Sequence, residues 1–363
     1  MELTKRMDAF DRLGKALRMA FGNEPADFSP NEMEKIKRLQ EEVRDARQFN
    51  AWFTEEFTKN ALQALGNSLK RSSLEKWVSA YDLSPEKQKT IGVVMAGNVP
   101  AVGFHDFLSV LISGHRLLAK LSSDDNRLLP AIAELLMAIE PDFKSAIHFT
   151  EERLHHFDAI IATGSNNTSR YFEYYFGKYP HIIRKNRNGI AVLDGKETKE
   201  QLEGLADDIF LYYGMGCRNV SKVFVPADYN FTPLLEVLAQ RKSIAENHKY
   251  FNNYEYNKAI FLVNGRNHFD TGNLLMVEDE RIPSAVSVVH YDFYHDLPSL
   301  RNHLMLQRNE IQCVLSQLPL QNTFPLGKSQ EPELWDYADG VDTLEFLQSL
   351  PDNSSDEENK IKG

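Results

Sequence analysis

Thr90-Ile91-Gly92-Val93-Val94-Met95-Ala96-Gly97-Asn98-Val99-Pro100 is the stretch on which the fold turns. The apolar, β-branched run Ile91 to Met95 breaks at once into a loop composition, which predicts a buried parallel strand delivered into a loop. The alternation continues downstream. Phe104 to Ile112 reads as a helix stopped by Gly114, Arg116 to Leu121 as a strand and Arg127 to Ile139 as a helix. Ser145 to Phe149 and Ala159 to Ala162 then read as strands, and a helix from Asn167 to Phe176 opens after Thr163-Gly164-Ser165. Such alternation predicts a doubly wound sheet. A strand, a small polar turn and a helix start together make the arrangement that binds phosphate or sugar groups in these sheets.

Upstream, residues 1–85 lack strand alternation. Ser29-Pro30-Asn31-Glu32 combines a capping box with proline at the first helical position, and Ser72-Ser73-Leu74-Glu75 offers a second helix start. Phe49, Trp52, Phe53, Phe57, Leu62 and Leu65 have the spacing of an amphipathic helix packed on something larger. Downstream, the pattern resets at Gly189-Ile190-Ala191-Val192-Leu193, followed by a helix from Thr198 to Tyr212 and a strand Lys222 to Val225. Lys258 to Val263, Asn273 to Val277, Ala285 to His290 and Ile311 to Leu315 are further candidate strands. The last nineteen residues, from Glu345, hold five acidic and two basic side chains and read as a solvated, partly disordered tail. The expected organisation is a helical region 1–85, a cofactor-binding domain 86–188, a catalytic domain 189–318, a returning segment 319–344 and the tail 345–363.

The 363 residues carry 52 acidic and 41 basic side chains, a formal charge of −11, and 42% are apolar. That composition supports packed cores and disfavours nucleic acid phosphates and anionic membranes as partners. The apolar runs fall far short of the ~20 residues of a spanning helix. The N-terminal residues, with Glu2, Lys5, Arg6, Asp8, Asp11 and Arg12, lack the apolar core of a secretory signal, so a cytoplasmic location is expected. Cys217 and Cys313 are too few for a disulfide framework or a four-cysteine zinc site. His155-His156 has no third ligand at a useful spacing, so no metal is expected.

Chemistry therefore rests on single residues, Cys217 first. It lies in a glycine-flanked loop between a predicted helix and a predicted strand, beside Arg218. That setting is expected to lower the thiol's pKa and expose it, as a nucleophile toward a carbonyl requires. Taken alone, the residue reads as readily as a small buried thiol in a tight turn. Asn98 by itself reads as a helix cap, Gly164-Ser165 as a generic turn and Lys120 as a solvated strand end.

Several segments, in chain order, carry a resemblance. Gly216-Cys217-Arg218-Asn219-Val220-Ser221-Lys222-Val223-Phe224-Val225 resembles the catalytic cysteine segment of the aldehyde dehydrogenase superfamily. Gly97-Asn98-Val99-Pro100 is similar to its Asn-Phe-Pro segment, Ala119-Lys120-Leu121-Ser122-Ser123 to its Lys-Pro-Ser-Glu segment, and Thr163-Gly164-Ser165 to its Thr-Gly-Ser turn. Ile282-Pro283-Ser284-Ala285-Val286 resembles its Phe-Gly-Pro-Val loop, and Phe324-Pro325-Leu326-Gly327-Lys328-Ser329 its glycine-rich return. The resemblance spans roughly Gly92 to Asp342 and points to the LuxC-type acyl-CoA reductases, the fatty acid reductases of bacterial bioluminescence.

The resemblance implies an aldehyde dehydrogenase-like α/β fold, with a doubly wound cofactor domain, an α/β catalytic domain and a helical N-terminal region. It implies Cys217 as nucleophile and Asn98 as oxyanion donor. Lys120, Ser122 and Ser123 would stand at the adenosine ribose, Gly164 and Ser165 near the phosphates, and Glu280 at the nicotinamide ribose. Two departures are informative. Arg184-Lys185-Asn186-Arg187-Asn188-Gly189 stands where hydrolytic relatives carry Glu-Leu-Gly-Gly, so the water-activating base is missing. Ser123 replaces a glutamate common in NAD-preferring relatives and leaves room for the 2′-phosphate of NADP, with Lys120 as counter-ion. The implied activity is NADPH-dependent reduction of fatty acyl-CoA to aldehyde through an S-acyl cysteine, in a homo-oligomer that takes acyl groups from CoA or from a partner enzyme. The rivals are a CoA-acylating aldehyde dehydrogenase, an acyltransferase subunit, and an inactive nucleotide-binding relative.

Overall fold

The computed structural model describes residues 1–22 and 24–351. The N-terminal region forms helices α1 (Leu3–Phe21), α2 (Pro30–Phe49), α3 (Glu55–Ser68) and α4 (Arg71–Val78). The Ser29 hydroxyl and the Glu32 side chain cap α2 reciprocally, with Pro30 in the first turn. The second predicted start does not form: α4 begins at Arg71 after Lys70, so Ser72 and Ser73 lie inside it. The aromatic run from Phe49 to Leu65 is not one helix either. The Thr54 side chain accepts from Phe57 N and starts α3 afresh, and this cap competes with continuation of α2.

The first sheet is wholly parallel, in the order β3-β2-β1-β4-β5, from β1 (Thr90–Val94), β2 (Arg116–Lys120), β3 (Ile147–Thr150), β4 (Ala159–Thr163) and β5 (His181–Arg184). Helices α5 (Phe104–Ile112), α6 (Leu128–Ile139) and α7 (Asn166–Phe176) make its connections. Ile91, Val93, Ala119 and Ile161 are fully buried, because crossover helices cover a parallel sheet on its faces. Strand order reverses between β1 and β4, which opens a crevice at their carboxyl ends. β5 escapes the sequence reading because only Ile182 and Ile183 mark it as a strand, and pairing with β4 completes it.

The second sheet runs β12-β11-β6-β7-β10-β9-β8, from β6 (Asn188–Val192), β7 (Val220–Pro226), β8 (Phe269–Asp270), β9 (Leu275–Glu278), β10 (Val288–Tyr294), β11 (Ile311–Ser316) and β12 (Thr323–Phe324). Only the edge strand β8 is antiparallel to its neighbour. Helices α8 (Lys199–Phe210), α9 (Thr232–Gln240), α10 (His248–Val263) and α11 (Leu297–Leu306) connect it. Lys258 to Val263, expected as a strand, is the end of α10. Tyr250, Tyr254, Asn257 and Phe261 make a buried stripe at helical spacing, to which the apolar run contributes Phe261 while Leu262 and Val263 stay exposed.

After β12 the chain returns across to the first sheet and ends in α12 (Thr343–Gln348). The expected tail therefore begins too early. Asp342 caps α12, Leu344 and Leu347 are buried, and Lys89 Nζ donates to the carbonyls of Leu350 and Pro351 at 2.5 and 2.6 Å. Residues 352–363 of that expected tail lie outside the described residues. No helix among the described residues is long and apolar enough to cross a membrane.

Candidate active site

Between α8 and β7 the backbone does something costly. Tyr212 and Tyr213 both take left-handed conformations, φ +53° and +59°. Such residues cost of order 1–3 kcal/mol each and persist only where packing over-determines them. Here the Tyr213 ring centroid lies 5.2 Å from Trp52, 5.0 Å from Phe57 and 5.7 Å from Tyr250. The N-terminal helices thus brace the turn that presents Cys217. Asn219 fixes its other side. This buried amide accepts from Gly216 N at 2.8 Å and donates to the carbonyls of Asp208 at 2.9 Å and Leu211 at 2.8 Å. β6 comes so close that a Cβ on Gly189 would stand 2.5 Å from Arg218 O.

The loop after β1 meets this turn. Asn98 Nδ2 donates to Met215 O at 2.7 Å, and Val99 lies beside Gly216. Asn98 and Cys217, distant in sequence, therefore share one loop junction. The second amide hydrogen of Asn98 has no partner among the described residues. The Asn98 loop is itself tied down. Ala101, at φ +53°, donates its N–H to Asp125 Oδ2 at 2.8 Å, and Asp125 Oδ1 also accepts from Leu128 N at 3.3 Å. Burial pushes the Asp125 carboxyl up to about 6. Gly97 is needed for the close approach, since a Cβ there would stand 2.6 Å from Ser122 Oγ. Asp125 was invisible in the sequence because nothing in Ser122-Ser123-Asp124-Asp125 marks which aspartate turns inward.

Cys217 is exposed, as expected, but its pKa is not lowered. The protein walling the thiol raises it most. Arg218 pulls it down, Asp339 pushes it up and Arg184 pulls it down. Arg218 Nη2 donates to Asp336 O at 2.6 Å. Arg184, buried at the end of β5, pairs with Asp106 of α5 and donates to Thr343 Oγ1 at 2.9 Å. Asp339, at φ +60°, accepts from Lys185 N at 3.3 Å and pairs with Arg187 Nε at 3.2 Å, and burial raises its carboxyl. A carboxylate from the far C-terminal segment thus settles on the very stretch that lacks the glutamate. Only long-range folding brings it there, so no local signal announced it. Cys313 is buried, its thiol pushed up to about 12, as a core cysteine should be.

At the carboxyl ends of β1 and β2 lies a cavity of about 580 Å³ whose lining includes Val94, Lys120, Leu154, Phe157, Phe172 and Tyr175. Lys120 Nζ donates to Glu151 O at 2.8 Å and Glu152 O at 3.2 Å, which leaves one of its three hydrogens. Gly164 and Ser165 stand at the start of α7, where the Ser165 hydroxyl accepts from Thr168 N at 3.2 Å as the helix cap. Ser122 and Ser123 do not line this cavity. The chain doubles back in a bridge between Ser122 and Asp125, Ser122 Oγ accepts from Asp124 N at 3.2 Å, and Ser123 joins Phe49, Asn50 and Arg127 around a separate cleft of about 20 Å³. Glu280 is exposed in the β9–β10 connection, and its carbonyl accepts from Lys222 Nζ at 2.8 Å. A second cavity, of about 400 Å³, lies between α3 and the returning segment. Among the described residues no cluster of His, Cys, Asp and Glu could hold a metal ion.

The family model described as acyl-CoA reductase (LuxC) matches residues 7–242. Among solved structures, aldehyde dehydrogenase 21 from Physcomitrella patens, in complex with the reaction product succinate, is similar at TM-score 0.63 and 13% identity, over 89% of this chain and 74% of that one. An E. coli NADP dependent enzyme is similar at TM-score 0.59 and 13% identity, over 90% and 79%. The P. syringae AldA indole-3-acetaldehyde dehydrogenase, in complex with NAD+ and IAA, is similar at TM-score 0.58 and 12% identity, over 91% and 75%. No curated protein matches the chain significantly. The structural likeness establishes the aldehyde dehydrogenase fold, and the match over residues 7–242 places the chain within that fold: it belongs to the LuxC family of acyl-CoA reductases, oxidoreductases that take acyl-CoA to aldehyde.

Proposed function

We propose that this chain reduces acyl-CoA with NADPH through a thioester on Cys217 and releases the free aldehyde. The observation that carries the reading is the 2.7 Å hydrogen bond from Asn98 to Met215 O, which sets a side-chain amide at the cysteine loop. The Cys217 sulfur attacks the thioester carbonyl. The oxyanion accepts from the second Asn98 amide hydrogen and from the Cys217 backbone N–H. CoA then leaves, taking up the proton that the thiol gave up, so that acylation is neutral overall. Arg218 and Arg184 favour the attacking thiolate against the surrounding protein that disfavours it. Asp339, held by Lys185 N and Arg187, is engaged rather than free to activate water, which spares the acyl-enzyme from hydrolysis.

The residues fit a phosphorylated dinucleotide. The cavity lies at the carboxyl ends of β1 and β2, and its lining holds Lys120, Arg153 and Lys178 with no carboxylate, which suits the 2′-phosphate of NADP. The first turn of α7 offers backbone N–H groups to the phosphates. The nicotinamide, when bound, supplies the hydride that takes the thioester to the aldehyde level.

NADPH absorbance followed with a range of acyl-CoAs, in wild type and Cys217→Ala, tests the reading. Consumption is expected in wild type and absent in the variant. Consumption that survives the substitution, or none with any acyl-CoA, would overturn it.

A further inference from the structure

The chain crosses from β3 to β4 in residues 151–158 without forming a helix, and this connection walls one side of the cavity of about 580 Å³. Two of its side chains anchor it. Leu154 and Phe157 are buried, and a Cβ on Gly92 of β1 would stand 3.4 Å from Leu154 Cδ1 and 3.3 Å from Phe157 Cγ. Between these anchors His155 and His156 both stay exposed, and both line the cavity. Simple alternation would bury one of them. His156 avoids that by taking φ +59°, a left-handed conformation that persists only where the surrounding structure over-determines it. The two ring centroids lie 6.4 Å apart, and neither imidazole has a hydrogen-bond partner among the described residues.

The charges that share the lining with this pair have one sign. They are Lys120 of β2, Arg153 of the connection and Lys178 beyond α7, and beside them stand the phenols of Tyr171, Tyr175 and Tyr179. The carboxylates of the same elements are placed elsewhere. Glu151 and Glu152 are exposed and meet Lys120 through their backbone carbonyls, Glu173 of α7 pairs with Lys185 at 3.1 Å, and Asp158 accepts from Thr90 N at 2.7 Å. Lysine and arginine keep their charge across the neutral range, whereas imidazole gains its charge within it. Two imidazolium rings this close to each other and to three cations repel, so they take up protons most readily when an anion lies among them. Resting on the reading above for the nucleotide, we infer that His155 and His156 are the proton-dependent part of a site for a ribose phosphomonoester, the group that NADPH carries at its 2′ position and CoA at its 3′ position. Affinity for that group rises as pH falls, until the phosphate itself takes up a proton near pH 6.

Isothermal titration calorimetry in phosphate-free buffer at pH 8.0 and 6.5, with NADP+, NAD+, CoA and dephospho-CoA, tests this in wild type and in the double variant His155→Gln, His156→Asn. Asparagine tolerates the left-handed conformation, so the double variant loses both titrating rings without straining the connection. In wild type the Kd of the phosphorylated ligand is expected to tighten about fivefold from pH 8.0 to 6.5, the ratio that ~1 kcal/mol gives, while NAD+ and dephospho-CoA stay constant. The double variant should show no pH response with any of the four. A response with NADP+ assigns the site to the cofactor, and one with CoA assigns it to the acyl donor. The same response with and without the phosphate, a response that survives in the double variant, or constant affinity for all four ligands would overturn the inference. NADPH consumption with acyl-CoA at pH 7.5 scores the reductase reading separately. Consumption beside a flat pH response leaves that reading standing without the histidines, whereas no consumption in wild type sinks the reading and leaves the calorimetry to decide the phosphate site.

Discussion

Asn219 carries more of the cysteine loop than any charged group near it. Its amide satisfies three backbone groups that would otherwise be buried and unpaired. Asn219→Ala should therefore cost about 1–3 kcal/mol in a urea titration. A smaller loss would mean that the loop is held chiefly by its aromatic bracing. Asn98→Ala removes one oxyanion donor and should lower kcat by on the order of 10²–10³ while the melting temperature holds. The thiol itself can be read by iodoacetamide labelling across pH. Asp339 opposes the thiolate, so Asp339→Asn should lower the Cys217 pKa and speed labelling at pH 7.5. An unchanged or slower rate would show that the carboxylate does not act on the sulfur.

At the scale of elements, the loop after β1 and the helix α6 are joined through one carboxyl. Burial raises Asp125 to about 6 from its ordinary 3.8, because the charged form loses more water than the N–H groups of Ala101 and Leu128 return. The folded protein therefore binds this proton more tightly than the unfolded chain does. The stability so contributed is fully present below about pH 4 and is lost as pH rises through about 6. Melting curves of wild type and Asp125→Asn from pH 4 to 8 should show wild type gaining on the variant as pH falls through that window. A difference that stays flat would place the carboxyl's titration elsewhere. The elements were mostly legible in sequence, β1 above all, because a parallel strand buried on both faces is a continuous apolar run. The misreadings at Lys258 to Val263 and Phe49 to Leu65 share a cause: short apolar runs fit either period, and caps such as Thr54 and Asn247 decide.

Over the whole molecule, the returning segment knits the two sheets together. The Asp208 carboxylate accepts from Gly327 N at 2.5 Å and Ser329 N at 3.0 Å, and the buried Arg184 joins Asp106 of α5 to Thr343 of α12. Breaking a buried pair from one side leaves the other charge uncompensated. Arg184→Met should accordingly cost about 3–5 kcal/mol, whereas Arg184→Met with Asp106→Leu should recover much of the loss. Urea midpoints of the single and double variants distinguish a buried pair from a merely local contact.

The candidate chemistry was visible as residues: a cysteine between glycines, an asparagine after a strand, a stretch without its glutamate. Local composition and periodicity determined these, because strand, turn and helix starts depend on neighbours along the chain. The tertiary structure alone decided what surrounds them. It raised the thiol's pKa by walling it in, turned Asp125 inward and Ser123 away, and set Asp339 against Lys185 and Arg187. Each of these depends on which distant segments meet, and burial, charge and hydrogen bonding take their sign from that meeting rather than from any residue read in its own place.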